Sequence, residues 1–566
     1  MSTLIVQADA AGEILYCDDG LSFWGGVDPA TGTVIDVHHP WHGQTLAGKI
    51  VAMPTSRGSC SGSGVLLELA LNGHAPAALV FSGREEILTL GAVIADRLFG
   101  RPVAVLRLAP GDFAALAAAP EARLRGGTLS TGARTVALAP VRPSDLDLIP
   151  EDRVQLSGDP ADPATIAMEA ICTMAVALGA RGLTEVSRGH VDGCILAHDA
   201  NLIFAERMAD MGAQVSIPTT INAISVDRDS RDGQGMPPLF RDKASRLADA
   251  YVRMGCRPTF TCAPYLLDDT PRLGERIGWS ESNAVIYANS VLGARTAKLP
   301  DYLDLFVAMT GRAPDTGMYG AEGRRPATLI DCTVPEGHDD SLWPLLGWIA
   351  GRRAPDRVPL LRGLTHLGPT NDDLRALCAA FGTTSASPML HVDGVTPEAD
   401  LAPLPQADRQ AITPDDMAEA WHSLNAGPEI VDLVAIGSPH ASLPEVGRFC
   451  DLLDGRPRHP GTDVIVTIGR DVLARVRDAG LVARLEASGV RVIPDICWCS
   501  ITEPVFPPGA RNLMTNSGKY AHYAPGLSGR TVRFGGLSAC AVAALSGRAP
   551  VAPPGWLVPK LSGRAP

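Results

Sequence analysis

The chain has 566 residues, so at roughly 150 residues per domain it holds more than one hydrophobic core, and a single small module is excluded. Apolar residues make up 46% and charged residues 20%, with 58 Gly and 46 Pro, a globular composition rich in turns that argues against disorder and coiled coil. The formal charge is −13 and no Lys/Arg block tracks a polyanion, so nucleic acid and anionic membranes are poor partners and a small-molecule substrate is expected.

Residues 1 to about 125 alternate short β-like runs (GEILYC, GKIVAM, AALVFS, PVAVLRL) with Gly, Pro and Asp turns, the pattern of a compact β-rich unit carrying a few helices. The N-terminus lacks a basic n-region and reaches Asp9 before an apolar core builds up, so no secretory signal is expected. From about Gly126 to Leu156 the pattern breaks into a Pro/Asp/Ser-rich passage, which places a boundary near 135 and divides the chain into 1–135 and 136–566. The most apolar long stretch, Ile166 to Leu178, is cut by Glu169 and falls short of the roughly 20 residues a bilayer needs. A cytoplasmic protein is the expectation. Asp242 to Met254 puts Leu247, Tyr251 and Met254 on one face with Gly255 behind them, predicting a helix. Ile430–Gly437, Asp463–Gly469 and Val490–Pro494 are continuous apolar runs, the last following an amphipathic stretch from Arg470 to Ser488. That alternation predicts an α/β unit with a parallel sheet buried on both faces.

Three groups of residues could carry chemistry. PTSRGSCSGSG, Pro54 to Gly64, lies between a strand-like and a helix-like run, where backbone N–H groups and hydroxyls of Ser and Gly can converge on an anion, with Arg57 adding a fixed charge. A flexible turn is the commoner use of such a loop. The second group is thiols. Cys497 and Cys499 sit just past an apolar run, as Ser438 does past another, so both segments could meet at one switch point beyond the carboxyl ends of the strands. Cys540 and Cys262 add further thiols, and three converging thiolates in a reducing compartment mean iron–sulfur or zinc. Cys17, Cys172, Cys194, Cys256, Cys332, Cys378 and Cys450 read as small buried apolar residues. The third group comprises the polar clusters SRGHVDG, WSESNAVIYANSVLGART and TNSGKYAHY, where hydrogen-bonding residues stand among small ones, as a closely approached ligand requires. A lone His there, His190, His440 or His522, is more often structural than a base.

SRGSCSGSG, TFTCAPYL, ESNAVIYANSVLGART, GSPHASL and TNSGKYAHY together resemble, in order and nearly end to end, the aconitase X branch of the aconitase superfamily. The resemblance implies an aconitase-like α/β architecture, a small β-rich N-terminal swivel domain (1–135) closing over a multi-lobed large catalytic domain (136–566), and an iron-dependent hydro-lyase. Archaeal relatives, split into two subunits, dehydrate phosphomevalonate; fused bacterial members dehydrate cis-3-hydroxy-L-proline to Δ1-pyrroline-2-carboxylate, and this fused chain resembles the second group. Matching the aconitase Ser-Arg-Gly-Ser-Ser-Arg motif puts the alkoxide base on Ser59 beside Arg57, with Ser61 where the substrate-binding Arg would stand. Arg188, Arg295 and Lys519 could replace that Arg. Ser63, His190, Glu281, Ser282 and Asn289 complete the expected substrate-binding set. Archaeal relatives carry a Cys at the position of Ser438 and an apolar residue at that of Cys499, so an altered cluster, 2Fe-2S, is expected on Cys497, Cys499 and Cys540, with Cys262 in reserve. A related dehydratase of another hydroxy acid, such as a phosphomevalonate-like one, a non-catalytic iron–sulfur or ligand-binding protein, and a zinc hydrolase remain as alternatives.

Overall fold

The computed structural model describes residues 2–57, 60–230 and 233–558. Strands Ala10–Tyr16, Ile50–Met53, Ala78–Phe81 and Ala104–Arg107 fall on the β-like runs of the N-terminal region and build the middle of a nine-stranded mixed sheet. Its three neighbouring central strands pair in parallel and are buried along their length, which is why they read as unbroken apolar runs. Helices Gly62–Asn72 and Ile87–Phe99 cover one face. The sheet continues past residue 135: Thr3 pairs with Ala139 and Leu4 with Pro140, and the Val141 N–H donates to the Leu4 carbonyl.

The remainder carries several small parallel sheets. A three-stranded one sets Gly189–Val191 between Thr219–Ile221 and Gly278–Trp279. A four-stranded one is centred on Thr328–Cys332 and Pro359–Arg362. The third has five parallel strands in the spatial order Arg491–Pro494, Asp463–Ile468, Leu433–Ile436, Asn512–Thr515, Thr531–Phe534. The first three of these are the predicted apolar runs. The chain direction across the sheet reverses between Leu433–Ile436 and Asn512–Thr515, a crevice at the carboxyl ends where ligands collect in open α/β sheets. The predicted helix extends over Pro238–Arg253, with Leu247 and Tyr251 fully buried.

Among the described residues no helix is long and apolar enough to cross a membrane; Pro163–Leu178, the most apolar long stretch, is a helix packed in the core. Leu342–Arg353 and Asn371–Thr384 pack so closely that a Cβ on Gly347 would lie 2.2 Å from the Leu377 carbonyl oxygen. Two backbones cannot separate there without opening the apolar core they share. Gly347→Ala should therefore destabilise the protein by about 2 to 4 kcal/mol despite its better helix propensity, read as a fall in urea midpoint at unchanged slope.

Candidate active site

Beyond the strand Arg491–Pro494 the chain turns sharply at Asp495, whose φ of 69° is held by the Arg470 guanidinium, Nε to Oδ1 2.5 Å and Nη2 to Oδ2 2.5 Å. The turn is locked further by the Trp498 indole donating to the Ile436 carbonyl at 2.7 Å and by Ser500 Oγ accepting from the Cys497 N–H at 3.2 Å. This geometry carries Cys497 and Cys499 back towards the sheet's crevice, where they meet Cys262. The three side chains pack together, and hydrogen bonds join Cys497 to both of the others. The Ser438 segment reaches the same point: the His440 N–H donates to Cys262 Sγ at 3.3 Å, and His440 Nε2 lies 2.9 Å from the Ile496 carbonyl oxygen. Burial holds the His440 ring neutral, its pKa lowered to about 4, which suits a structural role.

These thiols form one wall of a cavity of about 510 Å³ between the N-terminal unit and the rest of the chain. Ser22, Trp24, Cys60 and Ser61 come from the N-terminal unit; Asp192, Asn222, Glu281, Ser282, Asn283, Lys298, Asp301 and Lys519 come from the other side. A chain of polar contacts runs from the sulfurs to the loop. Lys519, in the first turn of the helix Gly518–Ser528, donates from Nζ to Glu281 Oε1 at 2.8 Å. Asn222 Nδ2 donates to Glu281 Oε2 at 3.4 Å and also to Asp192 Oδ1. The Cys60 thiol donates to Asp192 Oδ2 at 3.6 Å, and the Asp301 carboxylate accepts from the Cys60 and Ser61 side chains. Burial opposes ionisation of Glu281, yet the Lys519 charge and hydrogen bonds from Lys519 and Asn283 hold it well below the usual carboxylate range. Asp192 and Asp301 go the other way: burial, then neighbouring carboxylates, push both up.

Among the described residues three sulfurs stand together, and a metal held by three protein ligands would keep a position for substrate, as catalytic sites do and closed structural sites do not. Hydrogen bonding with Cys262 and burial push the Cys497 thiol up, and hydrogen bonding with Cys497 and burial do the same for Cys499, so a cation is needed to draw the protons from these two. A soft, buried thiolate set with backbone N–H donation to sulfur fits an iron–sulfur cluster.

Several expectations are corrected by position. Cys540 lies in the helix Leu537–Ser546, fully buried against Val434, Met514 and Ala544, and does not join Cys497 and Cys499; Cys262 stands there instead. Arg188 and Arg295 do not line the cavity, because each is spent on carboxylates, Arg188 on Asp269 and Glu275 and Arg295 on Glu398. His190 is fully buried beside Thr220, Nδ1 to Oγ1 2.7 Å, and burial lowers its pKa to about 3. Asn289 ties the Thr296 backbone to Arg324, and Ser63 donates to the Cys60 carbonyl within its own helix start; neither lines the cavity. Arg57 is half exposed with Asp36 at 3.8 Å. Ser59 lies outside the described residues. Ser61, Glu281, Ser282 and Lys519 do line the cavity. Missed were Asp192, inside the quoted SRGHVDG, and Cys60, inside the quoted loop; Asn222, Lys298 and Asp301 sit in stretches with no distinguishing pattern.

Comparison with known proteins places this geometry. Family models match in order along the chain: the aconitase X swivel domain over residues 2–131, first domain over 145–322, second over 326–422 and third over 431–546. The chain is 46% identical over 566 residues to cis-3-hydroxy-L-proline dehydratase of Pseudomonas aeruginosa, covering 98% of this chain and 97% of that one. It is 44% identical to the protein of the same name in Hypocrea jecorina, over 99% of this chain and 98% of the other. The crystal structure of holo aconitase X from Thermococcus kodakaraensis superposes with a TM-score of 0.65 at 29% identity, covering 70% of this chain and all of that one. The four domain matches and the near-complete alignments lead to one conclusion: the chain belongs to the aconitase X family.

Proposed function

We propose that this protein is a hydro-lyase that dehydrates cis-3-hydroxy-L-proline to Δ1-pyrroline-2-carboxylate. The observation that carries the reading is the thiol trio facing the N-terminal loop across one cavity, in a chain collinear with two dehydratases of that name. Cys262, Cys497 and Cys499 would hold the iron–sulfur cluster, 2Fe-2S, and when bound it supplies Lewis acidity to the leaving hydroxyl. The rest falls to the chain. Loss of the substrate's α-proton to a base and departure of the 3-hydroxyl leave an enamine and water, and the enamine tautomerises to the product. Ser59 is the proposed base, supported by its match to the aconitase motif and by the cavity position of the next residues, Cys60 and Ser61. Arg57 lies in the same loop and would stabilise the alkoxide electrostatically. Lys519 stays protonated, because the Glu281 charge beside it outweighs the burial that opposes its own, and it supplies a fixed donor beside the sulfurs. Twelve free thiols suit a reducing cytoplasm.

The test is product formation, by ultraviolet absorbance or a trapped adduct, from cis-3-hydroxy-L-proline with iron-loaded protein. A phosphorylated hydroxy acid and the trans isomer serve as comparisons. Ligand-induced thermal stabilisation without product would reduce the protein to a binding module.

We further infer that the N-terminal unit acts as a swivel tethered to the large domain. The sheet pairs through Pro140, and Leu146 already packs with Met168 and Cys172, so the tether lies near Arg142. Fragments 1–142 and 143–566 should restore turnover when expressed together and be inactive apart, because each has a core of its own and a further apolar core, which includes Leu66 and Ile94 with Ile171 and Phe204, joins them. Turnover by the larger fragment alone would remove the loop from the mechanism.

A further inference from the structure

The charges of the cavity do not balance. Three buried or nearly buried carboxylates, Asp192, Glu281 and Asp301, meet two lysines, and one of these, Lys519, is committed to Glu281 at 2.8 Å. Asp192 is 8% exposed and Asp301 4%. Their partners are an amide, hydroxyl and thiol groups, all neutral, with Lys298 in the neighbourhood but in no ion pair among the described residues. Oδ1 of Asp301 has no hydrogen-bond partner at all among the described residues although no water reaches it. An oxygen of Asp192, an oxygen of Asp301 and the Cys60 sulfur lie within 4.8 Å of one another.

Two carboxyl groups gathered at that spacing out of water cannot both ionise unless a positive guest sits between them; without one, a proton takes its place. The direction of their titration agrees, since burial pushes both up, with Glu281 adding to each and Asp301 adding to Asp192. An ammonium group satisfies both oxygens with directed N–H bonds. A divalent metal ion is the poorer guest, because Lys298 stands close enough to act on both Asp301 and Cys60 and would repel it more strongly.

We propose that Asp192 and Asp301 seat the ammonium group of the substrate, so that the cavity selects amino acids and rejects hydroxy acids and phosphorylated acids that lack a cationic nitrogen. The inference rests on the dehydratase reading of the same cavity and gives it a substrate class. It also supplies an orientation. The ammonium nitrogen is bonded to the carbon that loses its proton, and the seat adjoins Cys60 and Ser61, the residues that follow Ser59 in the chain. Seating the nitrogen there turns the α-carbon towards the loop and leaves the 3-hydroxyl side of the ring free to face the thiols. Lys298, on the same wall, is placed to take the carboxylate.

Two ligands that differ only at the ring heteroatom isolate the effect. L-Proline carries the ammonium; tetrahydrofuran-2-carboxylate has oxygen in its place, and neither has a hydroxyl to lose, so both report equilibrium binding. Iron-loaded wild-type protein should prefer L-proline by roughly 10²-fold in calorimetric affinity, the scale of a buried charge pair. Asp301→Asn and Asp192→Asn should each cut that preference to below about fivefold, mostly by weakening L-proline, with tetrahydrofuran-2-carboxylate changed by less than about threefold. A structural role for either carboxylate would weaken both ligands in parallel, and that result overturns the proposal, as does a wild-type protein without preference. Near-UV circular dichroism verifies folding, and either variant alone suffices for the comparison. Absence of turnover on cis-3-hydroxy-L-proline would instead defeat the dehydratase reading and leave the binding preference to be judged on its own.

Discussion

Alanine at Cys262, Cys497 or Cys499 should give a protein stripped of most visible absorbance and at least roughly 10³-fold less active, since a Lewis acid at a poor leaving group contributes several kcal/mol. Cys540→Ala should keep its colour, its iron and its turnover. The contrast follows from position. Cys497 and Cys499 project from the turn after the strand Arg491–Pro494 and share hydrogen bonds, and Cys262 receives the His440 N–H, so removal of any one leaves two sulfurs at the cavity wall. Cys540 is fully buried among Val434, Met514 and Ala544, and its loss costs only the small cavity left by one sulfur, about 1 kcal/mol of stability. Iron and acid-labile sulfide, measured on anaerobically purified variants, read the outcome directly. Equal amounts of the two, with two irons per chain, support 2Fe-2S. A Cys262→Ala protein with full iron, sulfide and turnover would eliminate that residue, and loss of the cluster in Cys540→Ala would mean that the apolar helix packing is not what holds that thiol.

The parallel sheet was legible because strands such as Leu433–Ile436 and Asp463–Ile468 are covered on both faces and must be apolar throughout. For the same reason the crevice beyond them was legible, and with it the segments of Cys497, Cys499 and Ser438, whereas Lys519 stood out only within a polar cluster. The choice between Cys262 and Cys540 was not. Both stand in short runs among small apolar residues, and only the turn at Asp495, with φ 69° and the Arg470 fork, decides which sulfur the other two reach. Arg188 and Arg295 misled for a related cause: a cation in a polar cluster looks available until its carboxylates, tens of residues away in sequence, come into contact. Asp192 and Asp301 were invisible because their distinction is an absence of cationic partners in the fold, which no local pattern records.

Ser59→Ala should lower turnover by about 10² to 10⁴, or roughly 3 to 5.5 kcal/mol in barrier, the usual cost of losing a general base. The hydroxyl of a free serine is far too weak a base at neutral pH, so the proposed role needs donors that would favour an alkoxide, and Arg57 two positions earlier in the sequence and backbone N–H groups ahead of the helix Gly62–Asn72 are the proposed ones. Iron content should be unchanged, because the sulfurs all come from the other side of the cavity. Affinity for L-proline should also hold within about threefold, since the proposed base would act on the α-proton in the transition state while the proposed seat of Asp192 and Asp301 would hold the ground-state nitrogen. Cys60→Ser is the control for disturbance of the loop: a hydroxyl can replace the thiol that donates to Asp192, and its effect should stay below about tenfold. Exchange of the substrate α-hydrogen in deuterated water separates the steps, for it needs the base and not the departure of hydroxide. Exchange should fall with turnover in Ser59→Ala and persist in Cys60→Ser. Near-normal exchange in Ser59→Ala would transfer the base to the other wall of the cavity, where Lys519 and Glu281 face the same space.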